Sequence, residues 1–149
     1  MARLGRLRRP LLIAAGGMLV VVLALQLVPY GWTKSNPPVT EDAPWPSAQA
    51  EAIARSSCYD CHSNETDWPP YSYVAPMSWL VRRDVEGGRE ELNFSEWDRD
   101  DGEADDAAES IEDGSMPLAN YTRIHRDAGL TDAEAALLVA ALEQMDDEG

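Results

Sequence analysis

The stretch Cys58-Tyr59-Asp60-Cys61-His62 is a C-x-x-C-H motif that takes both cysteines and one of the two histidines of a 149-residue chain. This spacing suits c-type haem attachment. One helical turn sets both thiols against the two vinyl groups of one porphyrin, and the adjacent imidazole meets the iron from the same face. Two thioether bonds retain such a group even where the surrounding core is thin. Three other readings fit the same residues. A Cys58–Cys61 disulfide suits an oxidising compartment. A thioredoxin-like dithiol wants a βαβ context that the chain lacks. Zinc would find Cys58, Cys61, His62 and His125, although the adjacency of Cys61 and His62 strains tetrahedral ligation by both.

Working outward from the motif, the flanking segments read as helices. SAQAEAIARSS, from Ser47, has Ser47 as its N-cap and four alanines plus Ile53, and it leads straight into Cys58. At the other end, Leu130 to Met145 carries a capping box in Thr131 and Glu134, with Leu138, Ala141, Leu142 and Met145 at helical spacing. Met77 to Asp84 and Asp101 to Glu112 are weaker helical segments, the second offering only Ala104, Ala108 and Ile111 to a core. Ser63 to Pro76, with Pro69, Pro70 and Pro76 and the rings of Trp68, Tyr71 and Tyr73, reads as a loop. No long alternating pattern and no internal repeat is present, so the fold class is all-α. The chain has one Phe and few large aliphatics outside its N-terminus. A body of this size normally buries more apolar volume, and a large flat apolar cofactor would fill the deficit.

The N-terminus is a different material. Arg3, Arg6, Arg8 and Arg9 precede an apolar run from Leu11 to Val28 broken only by Gln26. Eighteen helical residues span roughly 27 Å, close to a bilayer core. Pro10 suits the first turn of such a helix, and Tyr30 and Trp32 stand where rings favour the head-group level. The arginines predict that residues 1–10 stay cytoplasmic while 11–28 form a transmembrane anchor. The alternative is a cleaved signal peptide with Val22-Leu23-Ala24 at the cut; either way the body is extracytoplasmic. Residues 29–46 are a Pro-rich linker, whose TKSNPPVTEDAPWP segment reads as a semi-rigid tether, and residues 47–149 are the domain. The formal net charge is −15, and beyond Val28 there are eight basic against 27 acidic side chains. A body so negative repels phosphate backbones and anionic lipid head groups, which excludes nucleic acid as a partner. The acid would steer a basic redox partner or keep the protein soluble in salt.

Around the motif the chain resembles the small membrane-anchored haem-binding domain family of c-type cytochromes. The likeness runs through SCYDCHSNETDWPPYSYVAPMSWLV (57–81), EGGREELNFSEW (86–97) and EDGSMPLANY (112–121). It implies one covalent haem c with its iron, a cytochrome c-like helical fold, and a redox or haem-binding role. DRDDGEADDAAES, between the second and third blocks, departs from it in being nearly all acid.

His62 is then the proximal ligand and Met116 the expected distal one. Met116 stands in Gly114-Ser115-Met116-Pro117, where Pro117 keeps it out of helical conformation and presents the sulfur from a loop. Met77 and His125 are its rivals, the first read as a packing residue and the second as an exposed polar one. Trp68, Tyr71, Tyr73, Trp79 and Trp97 would line the haem or form the core, the core being the reading taken for each. One of Arg82, Arg83 and Arg89 would pair with a haem propionate, and Tyr59 and Asp60 read as solvent-facing spacers. The expected function is one-electron transfer by a protein that is not an enzyme. A haem-based sensor with an open sixth position is the alternative, and no distal acid–base pair supports a peroxidase.

Overall fold

A computed structural model describes residues 2–99 and 104–148, and among these the regular structure is helical with no β-strand. Contacts divide the chain into two units, 1–34 with 69–82, and 35–68 with 83–149. The first three residues of the acidic segment 101–112 lie outside the described residues.

In the first unit, α1 (Ala2–Leu25) is a single helix whose apolar window Arg8–Leu25 is 18 residues long with mean hydropathy 1.8. It begins well before the apolar run, so Pro10 lies inside it rather than in its first turn. Beyond Leu25 the amides of Gln26, Leu27 and Val28 bond three residues back, tightening the last turn before Pro29 ends it. Segment 69–82 contributes a 3₁₀ turn, Pro70–Tyr73, where a loop alone was expected, and the start of α4 (Met77–Glu91).

The second unit holds α2 (Ala48–Ser57), α3 (Tyr59–His62), the remainder of α4, α5 (Ala104–Glu112), α6 (Ala119–Thr122) and α7 (Asp132–Glu148). Both expected caps are present. The Ser47 hydroxyl accepts the Ala50 amide at 3.1 Å, and Glu134 takes the Thr131 amide at 2.8 Å. Losing the first cap by Ser47→Ala should cost about 1 kcal/mol, roughly 4–8 °C in the thermal midpoint of a domain this size, as circular dichroism would read. The core is built on small residues. Ala54, Ala104 and Ala108 let helices close on Leu138, Val139, Leu142 and Met145 of α7, and Phe94 and Tyr59 fill the remaining volume.

Two expectations give way here. The Pro-rich stretch is extended, but residues 35–46 belong to the second unit instead of forming a free tether. The amides of Thr40 and Ala43 donate to the carbonyls of Ser95 and Phe94, and the Trp97 amide donates to Glu41. Tyr59, expected in solvent, is 4 % exposed and stacks on Phe94 at 5.4 Å while its hydroxyl accepts the Trp45 indole N–H at 3.0 Å.

Candidate haem-binding site

The turn that carries the motif is fixed backbone first. The amides of Cys61 and His62 both donate to the Cys58 carbonyl, at 3.0 and 2.9 Å, which closes α3 immediately after α2. The carbonyl of His62 then accepts the Phe94 amide at 2.8 Å. Beyond it, a buried polar knot locks the chain's exit. Asn64 receives the Asn93 side-chain amide at 3.0 Å and gives its own backbone amide to Ser95 Oγ at 3.0 Å. Buried polar groups are tolerated only when so satisfied.

From the opposite side α4 comes into contact with this turn. A Cβ on Gly88 would stand 2.6 Å from the Cys61 carbonyl oxygen, closer than any real side chain approaches backbone. Only glycine lets the two elements meet at that distance. Next to it, Gly87 faces open space, so α4 presents bare backbone to the cavity beside it.

That cavity has a volume of about 780 Å³, within the roughly 300–1,000 Å³ typical of cofactor sites. Cys58, Cys61 and His62 line it, and so does Met116. Its apolar wall comes from Leu92, Phe94, Ile111, Leu130, Leu138 and Leu142. The four sequence-predicted site residues therefore share one cavity. Met77 belongs to the first unit, and His125 does not line the cavity. Instead of standing exposed, His125 is half-buried and stacks on Tyr121 at 4.4 Å.

The donor atoms are in the states a haem site needs. His62 Nδ1 lies 3.1 Å from the Leu92 carbonyl. The tautomer that satisfies this contact carries its proton on Nδ1 and leaves the Nε2 lone pair free, the usual support for a ligating imidazole. Burial pushes His62 below the usual imidazole value, against the carbonyls of Leu92 and Gly88, so the ring is neutral at pH 7. Both thiols are free. Burial drives each up to about 12, with further upward pushes from Cys61 on Cys58, and from Asp84 and Asp60 on Cys61. A catalytic dithiol is held low instead. Among the described residues no group of three or more His, Cys, Asp or Glu side chains is placed to hold an ion, as a zinc site would require. Two thiols, a neutral imidazole, a thioether and an apolar wall fit a haem.

The Met116 loop is held at both ends. Its amide donates to Ser110 at the end of α5 at 2.9 Å, after a turn through Gly114 at φ +76°. The Ser115 amide and hydroxyl hold Asp113 below the usual carboxylate range. On the far side the Tyr121 hydroxyl donates to Asp60 Oδ2 at 2.6 Å, joining α6 to the motif itself. Asp60 is thus a half-buried clamp, accepting the Asp67 amide as well at 3.0 Å, and not the solvent-facing spacer expected.

The cavity rim is acidic, with Asp60, Asp84, Asp106, Glu109 and Asp113 beside a single cation among the described lining residues, Arg83. Of the three arginines among which one propionate partner was expected, Arg83 lines the cavity. Arg82 lies in the first unit. Arg89 spends its guanidinium on the Ser63 and Ser35 carbonyls, at 2.7 and 2.9 Å, and on Asn36 and Thr66. Sequence reasoning missed Phe94, which stacks with Tyr59 and Trp97, tilts against Trp45 and sits 6.4 Å from the His62 ring. Being the only Phe, in a segment without helical or alternating period, was its one signal.

No curated protein and no solved structure matches the chain significantly. A family model described as a haem-binding domain matches residues 20–144, a span that contains the motif, the Met116 loop and every residue lining the cavity. A match of that length makes this chain a member of the haem-binding domain family and a haem protein.

Proposed function

We propose that the chain is a membrane-anchored, extracytoplasmic monohaem c-type cytochrome that passes single electrons to and from a redox partner. The observation that carries this reading is the convergence of Cys58, Cys61, His62 and Met116 on one cavity. When bound, haem supplies a one-electron iron couple, and His/Met ligation sets its potential above that of two nitrogen ligands. The rest is done by the chain. Cys58 and Cys61 would hold the ring covalently, and His62, braced by Leu92, would bind its iron. Met116, on a loop tied to α5 and to Asp60, would supply the second ligand. The apolar wall excludes water, while the acidic rim leaves one edge open to a partner. Covalent attachment of this kind is made outside the cytoplasm, in keeping with the four arginines before α1 and the apolar window Arg8–Leu25.

A haem stain of the denatured protein on a gel tests the attachment. The wild type should stain and gain the mass of one tetrapyrrole. Cys58→Ser with Cys61→Ser should lose the stain entirely, and either single variant most of it. A colourless wild type with two alkylatable thiols would overturn the reading.

A further inference from the structure

The 3₁₀ turn and loop at 70–76 are a part of the chain the haem site does not use. Between Asp67 and Asp84 there is no acidic residue, in a body that carries all 27 of the chain's acids. Segment 69–82 clusters with residues 1–34, which are equally free of Asp and Glu. The first unit therefore carries Arg3, Arg6, Arg8, Arg9, Lys34 and Arg82 and no negative side chain. Charge is partitioned between the two units, not spread over the chain.

The contacts within this unit are specific. Gln26, the one polar residue in the apolar run, pairs its side-chain amide with both backbone groups of Ala75. Its Nε2 donates to the carbonyl at 3.1 Å, and its Oε1 accepts the amide at 2.9 Å. A polar group at the end of an apolar helix is thereby spent on docking the 70–76 loop. Gly31, at φ +90°, leaves room for Ser78, whose backbone would lie 2.9 Å from a Cβ there. The loop then presents Tyr73 and Val74, 63 % and 52 % exposed, in the same unit as exposed Leu27, Val28, Tyr30 and Trp32. Lys34 stands 4.6 Å over the Tyr73 ring and Arg82 4.9 Å over Tyr30. Aromatic rings beside cations form the composition that settles at lipid head groups.

We infer that Tyr73 and Val74, clasped to the end of α1 by Gln26, enter the head-group region of the outer leaflet. The anchor would thus have a second, interfacial foot. The inference rests on the reading of α1 as a membrane anchor, and its occupant is a lipid surface.

The test uses the haem-loaded full chain in vesicles of phosphatidylethanolamine and phosphatidylglycerol. Val74→Cys offers the one thiol not consumed by haem, so a nitroxide placed there reports depth by its accessibility to oxygen and to a water-soluble nickel chelate. The label at 74 should be several-fold more protected from the chelate than a matched label at Ala52 on α2, an exposed position of the acidic unit. Adding Gln26→Ala should bring the label at 74 back towards the Ala52 value. Equal chelate accessibility at 74 and 52, with the chain still floating with the vesicles, would overturn the inference and leave the anchor standing. A chain that fails to float would remove the anchor reading, and the inference with it. Labelling of the protein without the introduced cysteine would report instead that haem is not covalently held.

Discussion

Replacing Met116 by alanine is expected to abolish the methionine–iron charge-transfer band at the red end of the spectrum while leaving the haem on the polypeptide. The two effects separate because the residues do separate work. On the proposed reading attachment would need only Cys58 and Cys61, on a turn whose geometry is set by α2, α3 and the Phe94 segment. The distal position would depend on the 113–118 loop. That loop is tied to Ser110 by the Met116 amide and to Asp60 through Tyr121, backbone and side-chain contacts that do not involve the Met116 sulfur. The variant should therefore keep its fold and lose a ligand. Its reduction potential should fall, because the thioether that favours the reduced iron would be gone. Carbon monoxide should bind slowly to the wild type, where it must displace methionine, and rapidly to the variant. Met77→Ala and His125→Ala leave the band in place, since neither residue lines the cavity. A band that survives Met116→Ala refutes the distal assignment. Rapid carbon monoxide binding by the wild type, where Met116 is 36 % exposed, would point to sensing instead of transfer.

What was legible in the chain follows from the range of the interaction that writes it. The motif is five residues long and its chemistry is local, so its meaning survives without a structure. The caps of α2 and α7 span three residues each, and both stand where Ser47 and Thr131 place them. The extended segment 35–46 shows the boundary. Proline restricts φ and so announces an extended backbone, yet the same conformation serves a free tether and a segment bonded to Ser95 and Phe94. Local composition cannot name a partner more than fifty residues away. The Asn64–Asn93–Ser95 knot was invisible for the same reason, since its members join across about thirty residues with no periodicity between them. Spacers inside a two-thiol motif carry no burial signal, so the inward turn of Tyr59 shows only in its stack on Phe94 and its bond from the Trp45 indole.

The expected helix over Met77 to Asp84 runs on to Glu91, and the reason leads to the second large effect. Two adjacent glycines inside a helix each cost about 1 kcal/mol relative to alanine, so local propensity argues for ending it before them. Packing overrides that cost at Gly88, where α4 meets the Cys61 carbonyl with no room for a methyl. Gly88→Ala is therefore expected to destabilise the protein although alanine is the better helix former. The clash is with backbone, which has no rotamer to yield, so the overpacking cost of about 1–3 kcal/mol falls at its upper end. The propensity gain returns only part of it. Because the displaced atoms belong to the residue that carries the second thiol, the loss extends beyond stability. Haem-stained yield should drop several-fold, and the surviving holoprotein should melt earlier when followed at its Soret band. Gly88→Val, which adds two further carbons at the same point, should yield almost no haem-loaded protein. A Gly88→Ala variant that loads and melts like the wild type would mean that α4 does not press on the motif, and that His62 is held by its Leu92 and Phe94 contacts alone.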